Sequence, residues 1–160
     1  MAAADDMNTA FQDTKGRASD TERDVLIIGA GLSGVGAAWH LQDKTKDKSY
    51  VILEARADLG GTWDLFRYPG IRSDSDMYTF GYNFRPWTDG KVFADGPSIR
   101  NYVRDTAREA GIDQHIRFNT RVETVSWDTQ TARWTVEAQG PDGPEVWSAK
   151  FLILCSGYYR

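Results

Sequence analysis

Residues 24–42 read DVLIIGAGLSGVGAAWHLQ, and the fold follows from them. Val25–Ile28 is an unbroken apolar run, the pattern of a strand buried on both faces of a parallel sheet. The turn GAGLSG matches G-x-G-x-x-G at Gly29, Gly31 and Gly34. A helix is predicted from the turn to about Gln42, with Leu32, Val35 and Trp39 on one stripe. Its small residues Gly36, Ala37 and Ala38 allow it to lie close to the sheet. After a charged loop, Tyr50–Leu53 predicts a second apolar strand that ends at Glu54. The glycine pattern alone is a weak signal. Here it follows a strand, opens a helix and precedes an acidic residue by about 20 positions, which is the arrangement of a dinucleotide-binding βαβ unit. Gly29 permits the tight turn, Gly31 lets backbone approach a pyrophosphate, and Gly34 lets helix and strand pack together. The helix N-terminus turns free N–H groups and a positive dipole end toward phosphates. Ser33 can donate to a phosphate oxygen, and the Glu54 carboxylate can accept both hydroxyls of an adenosine ribose. The pattern does not separate FAD from NAD. The doublet Gly60-Gly61 lets the chain pass close to an extended ligand, for which a NAD domain has no obvious need. Arg56 is read as facing water in preference to lying over an adenine ring.

Beyond this unit, residues 61–76 read GTWDLFRYPGIRSDSD, with no clear helical or strand period. Trp63, Phe66 and Tyr68 crowd around a Tyr68-Pro69-Gly70 bend, where Pro sets φ and Gly admits a positive φ. A helix is predicted over Pro97–Ala110, with Ile99, Tyr102, Val103 and Ala107 inward and Gly111 in the C-cap position. A short strand is predicted over His115–Phe118. Three further strands, Val122–Trp127, Arg133–Ala138 and Glu145–Ala149, are separated by turn residues and read as an antiparallel meander. Phe151–Cys155 reads as a last, fully apolar and buried strand. The fold class expected is α/β: a parallel sheet with helices plus an antiparallel β-meander, a Rossmann-like domain.

The chain has 160 residues, 41% hydrophobic and 12% aromatic, enough for one domain with a real core. The net charge of -4 argues against a nucleic-acid partner. The single cysteine, Cys155, excludes a disulfide framework and fits a reducing, cytoplasmic compartment, with membrane association as an alternative. His40 and His115 read as surface or packing residues, and no metal site is expected. Residues 1–23, MAAADDMNTAFQDTKGRASDTER, are polar and aperiodic and predict a disordered leader ahead of a domain spanning 24–160. Asp76 reads as a helix cap. Met77 and Tyr78 read as core in preference to site, and Trp63, Phe66 and Tyr68 have ordinary core packing as the plain alternative to a site role.

GAGLSG, then LEAR, then the string GGTWDLFRYPGIRSD over residues 60–74 together resemble the N-terminal FAD domain of the class B flavoprotein monooxygenases, with its glutathione-reductase-type fold. Among these the sequence is most similar to bacterial Baeyer–Villiger monooxygenases. The resemblance covers roughly Asp24–Tyr159. It implies an FAD-dependent, NADPH-consuming monooxygenase that oxygenates a hydrophobic ketone or a sulfur-containing small molecule with molecular oxygen, through a C4a-peroxyflavin. Thr62, Trp63, Asp64 and Leu65 would then lie along the ribityl and isoalloxazine region. Asp74, the catalytic candidate, would sit in a partly dry cleft at the flavin edge where nicotinamide arrives, with Arg72 and Ser73 bordering NADPH. The Val122 backbone would read the adenine edge, and Gly157 would approach the pyrophosphate from the other side. A disulfide reductase shares the glycine pattern but needs a cysteine pair.

Members of that family carry further motifs after the stretch ending in CSGYY, including a second glycine pattern for NADPH. The resemblance therefore implies a chain truncated before the NADPH-binding domain, with apolar surface bare near Trp87 and Tyr158-Tyr159. The alternative reading is a non-catalytic FAD-binding module, or an inactive fragment that needs a partner chain to supply the missing half.

Overall fold

The computed structural model describes residues 21–159. Most of the expected leader lies outside the described residues. Its last two positions, Glu22 and Arg23, already belong to the first strand. The elements run β1 (Glu22–Ile28), α1 (Leu32–Lys44), β2 (Tyr50–Leu53), α2 (Thr62–Leu65), α3 (Met77–Phe80), α4 (Gly96–Glu109), a 3-10 turn (Asp113–His115), β3 (Ile116–Arg117), β4 (Arg121–Asp128), β5 (Arg133–Gly140) and β6 (Gly143–Leu154).

Among the described residues the six strands form one sheet in the order β3-β2-β1-β6-β5-β4. Strands β3, β2, β1 and β6 run parallel, and β6, β5 and β4 antiparallel. The fold is the expected α/β sheet with a meander, but the join between its two halves differs. Glu145–Ala149 and Phe151–Cys155 are not separate strands. They are one 12-residue strand, β6, whose first part pairs with β5 and whose remainder pairs with β1 from Glu22↔Ser148 to Ile28↔Leu154. Lys150 suggests a break because it is charged. Its Nζ instead donates to Asp24 Oδ1 on the neighbouring strand at 2.9 Å, so the strand carries its charge without interruption.

Alternation along the strands divides the interior in two. Val25 and Ile27 face a cluster with Val35, Ala38, Met77, Ile99 and Val103, which α1 and α4 cover. Leu26, Val51 and Leu53 face the other side, where Val136, Ala138, Trp147 and Ala149 of the meander close over them. Trp147 and Ala149 share that cluster with Leu152, although odd and even positions of a flat strand point to opposite faces. The sheet therefore curls along β6 and lays the meander over its own parallel half. Leu26, Ile27, Ile52 and Leu53 are at most 1% exposed, and each such side chain is worth about 1.5–3 kcal/mol on burial. The end of β6 is not the buried run expected: Phe151 and Leu154 are 63% and 68% exposed. No element among the described residues covers them.

Helix α4 buries Ile99, Tyr102, Val103 and Ala107, and Gly111 follows it at φ +65°. Segment 61–76, read without a clear helical or strand period, contains the short helix α2, and Asp76, read as a helix cap, caps α3. Trp87, expected at a bare surface, is buried and donates from Nε1 to Lys91 O at 3.1 Å. Tyr78, read as core, is 61% exposed. The small residues of α1 do not all serve the sheet, since a Cβ on Gly36 would meet the Tyr82 ring at 3.1 Å.

Candidate cofactor-binding site

Two glycine turns face each other across the C-terminal end of β1. Gly29 has φ +101°, and a Cβ there would stand 2.5 Å from Cys155 O, because the end of β6 runs alongside. Gly61 has φ +55°, and a Cβ on it would stand 3.0 Å from Gly31 Cα. Gly60 N–H donates to Ala30 O at 3.0 Å. The Gly60-Gly61 doublet therefore brings chain against chain. A Cβ at 31 or 61 would fill the narrow cradle between the two turns.

Helix α1 begins at that cradle without a side-chain cap. Helix α2 likewise starts, at Gly61, without a side-chain cap, whereas Asp76 accepts from Thr79 N at 2.9 Å ahead of α3 and Asp95 from Ser98 N at 2.8 Å ahead of α4. The first N–H groups of a helix have no intrahelical partner, so α1 leaves its donors, with the positive end of its dipole, for something other than its own chain. Glu54 lies beside them, 6% exposed. Its Oε2 accepts from Ala30 N at 2.7 Å and its Oε1 from Arg56 N at 2.9 Å. Each oxygen keeps a second lone pair, so the carboxylate is fixed in place and still able to accept.

From this cradle a trough of about 1620 Å³ runs to the aromatic segment. Gly29, Gly31, Ser33, Glu54, Gly61, Thr62, Trp63, Leu65, Arg72, Ser73, Asp74 and Gly157 are all among its lining residues. Trp63 is half-buried and meets Phe80 edge to face, with centroids 6.0 Å apart. Ser73 is buried and its hydroxyl is spent on a turn, donating to Ser75 O at 2.6 Å and accepting from Ser75 N at 3.1 Å. Asp74 is exposed at the trough rather than sitting in the partly dry cleft expected.

Three residues in the candidate set do not line the trough. Gly34 packs beneath it, where a Cβ would stand 1.9 Å from Gly29 O. Val122 is half-buried on β4 against the Leu26–Trp147 cluster. Asp64 is 2% exposed and points into a cage of arginines. It accepts from Arg56 Nε at 2.9 Å and Nη2 at 2.8 Å and from Arg67 Nη2 at 2.7 Å, and it pairs with Arg100 Nη1 at 3.2 Å. Burial would push its carboxyl up, but the Arg56 and Arg67 hydrogen bonds outweigh that and hold it below the usual carboxylate range. The Arg56 head is thus tied to Asp64 while, 38% exposed, it lines the trough.

Sequence reasoning also missed Phe80, Phe93, Leu154, Ser156, Tyr158 and Tyr159 in the trough wall. Only the CSGYY string signalled any of them. Cys155 lies past the end of β6, half-buried at the trough, and burial raises its thiol. Among the described residues no group of three His, Cys, Asp or Glu could hold a metal ion. No described helix is long and apolar enough to cross a membrane.

The glycine cradle, the open helix start and the strand-end carboxylate define a Rossmann-like dinucleotide-binding domain. The profile of the NAD(P)-binding Rossmann-like domain matches residues 27–103. More particularly, the chain is similar to the N-terminal part of FAD-containing monooxygenases. It is 57% identical over 137 residues to the FAD-containing monooxygenase EthA of Mycolicibacterium smegmatis, a match that covers 86% of this chain and 28% of that protein. Among solved structures it superposes on an oxidised steroid monooxygenase bound to NADP with a TM-score of 0.78 and 31% identity, over 86% of this chain and 26% of that one. It superposes on OTEMO in complex with FAD and NADP with a TM-score of 0.75 and 34% identity, over 84% and 26%. The chain spans 28% of the length of the curated relative and about a quarter of the structural neighbours.

Proposed function

We propose that this chain is the FAD-binding part of a flavin-dependent, NADPH-consuming monooxygenase of the Baeyer–Villiger type. The observation that carries the reading is the single trough that joins the open start of α1 to Trp63. Its volume exceeds the roughly 300–1,000 Å³ of ordinary ligand pockets, which suits an extended dinucleotide. The α1 amides and the Ser33 hydroxyl hold the diphosphate. Glu54 accepts the ribose hydroxyls from an orientation set by Ala30 and Arg56. Trp63, Thr62 and Leu65 give the isoalloxazine ring a flat, mostly apolar wall, and Gly157 leaves backbone close to the diphosphate. When bound, FAD supplies the redox and oxygen chemistry, with NADPH as the source of hydride. Asp74, with Arg72 beside it, borders the place where nicotinamide arrives. There its charge orients the incoming cofactor.

The substrate class that goes with this reading is a hydrophobic ketone or a sulfur-containing small molecule, with molecular oxygen. A cytoplasmic setting accords with the single cysteine. A second reading is an FAD module that acts only with a partner chain. The exposed Phe93, Leu154 and Tyr158 along the trough favour it, since they leave one wall bare.

The test is expression of the chain, a visible spectrum and extraction of the bound cofactor. Flavin bands and a rise in Tm with added FAD are expected. A folded, colourless protein whose Tm ignores FAD would overturn the proposal. Bound FAD with no NADPH oxidation until a partner chain is added would select the second reading.

A further inference from the structure

The Asp64 cage serves more than the packing of α2. Among the described residues Asp64 and Glu54 are the buried charged ones; Asp64 is not part of the trough wall, yet it holds a residue that is. Arg56 meets it with two donors on one edge, Nε and Nη2, and Nη2 also donates to Asp64 O at 3.2 Å. That edge-on grip fixes the guanidinium plane and leaves Nη1 and the planar face uncommitted. Arg56 is 38% exposed at the side chain and lines the trough two residues after Glu54. Its own backbone N–H orients the Glu54 carboxylate. The other arms reach elsewhere. Arg67 is 66% exposed, does not line the trough and sits on the opposite Asp64 oxygen. Arg100 ties the cage to α4 and to Asp58, which Arg104 also pairs.

We infer that Asp64 is a positioning residue that holds Arg56 flat against the trough beside Glu54, as a cationic platform for the adenosine half of the dinucleotide. A locked guanidinium stacks on an aromatic ring with less loss of freedom than a free one, and such contacts are strongest when the cation is already partly desolvated. A buried carboxylate whose partner is removed is costly, so the cage also resists release of Arg56 into water. The inference rests on the proposal that FAD occupies the trough.

The experiment measures the binding of FAD, ADP and FMN to the purified chain by titration calorimetry, and Tm with and without each. ADP probes the adenosine half and FMN the flavin half. Asp64→Asn and Arg56→Gln should each weaken FAD and ADP about tenfold and leave FMN unchanged. The double variant should be no weaker than the poorer single one, because the two residues act as a unit. Arg67→Ala should bind all three like the wild type. Should Asp64→Asn fail to fold, Arg56→Gln, on a half-exposed side chain, carries the test alone. Wild-type affinity for ADP in Arg56→Gln overturns the inference, and so do additive losses in the double variant. A wild-type chain that binds neither FAD nor ADP overturns the underlying proposal instead, so the two failures are distinguishable.

Discussion

The two walls of the trough are built by opposite means. The loop 29–34 is nearly all backbone: three glycines, an uncapped helix start and one carboxylate that staples Ala30 in place. Residues 61–76 hold their shape with side chains. Asp64 gathers three arginines, Asp76 caps α3, Ser73 closes its own turn, and Trp63 leans on Phe80. The difference teaches where each wall is vulnerable. The backbone wall has no room for an added atom at Gly29 or Gly34, whereas the side-chain wall tolerates shape changes but not the loss of a partner.

The sharpest challenge to that contrast is Gly34→Val. Its Cβ would overlap Gly29 O, a clash that neither helix nor strand can yield to cheaply. We expect a loss of at least about 3 kcal/mol, measured as a collapsed urea midpoint. A variant with a wild-type midpoint would show that the loop is not tightly packed. Gly31→Val separates folding from binding. A Cβ there meets Gly61 Cα at 3.4 Å, an ordinary contact, so the chain should fold while the branched methyls fill the cradle. Retention of FAD after gel filtration should disappear with little change in the far-UV spectrum.

On the other wall, Asp76→Ala removes a cap from α3 at a side chain that does not itself line the trough. The expected loss is about 1 kcal/mol of stability, with FAD affinity unaltered. A change in affinity would mean that the cap also sets the position of Phe80 at the trough wall. The smallest effect concerns pH. The Asp24 carboxyl is held well below its ordinary 3.8 by hydrogen bonds from Lys150 and Ser49. A depressed carboxylate stabilises the fold above its unfolded pKa and loses that contribution as pH falls through the folded value. Stability should therefore be flat above about pH 5 and fall from about pH 4 downward. In Asp24→Asn that acid slope should be shallower in denaturant titrations between pH 2 and 5.

The legibility of the molecule follows the same division. The β1–α1–β2 unit could be read from residues 24–54 because local rules fix it: an apolar run of strand length, glycines at set offsets, and an acid at the next strand end. The α4 core positions could be read because helical period survives in sequence. The continuity of β6 could not be read, because Lys150 looks like a break until Asp24 is beside it. The exposure of Phe151 and Leu154 was equally hidden, since an apolar run does not say what covers it. In the candidate site, placement at the trough could be anticipated for Glu54, Trp63 and Asp74, but not for Phe80, Phe93 or Arg56.

Sequence alone determined that a dinucleotide-type turn joins two parallel strands and that an aromatic, charged segment follows it. These depend on residue type and short spacing, which the chain carries in order. Tertiary structure decided that Gly61 closes on Gly31, that Asp64 turns inward to arginines 8 residues before it, 3 after it and near the start of α4, and that the meander curls over the parallel strands. Those outcomes depend on which distant atoms share a small volume, and on whether a buried charge finds partners there.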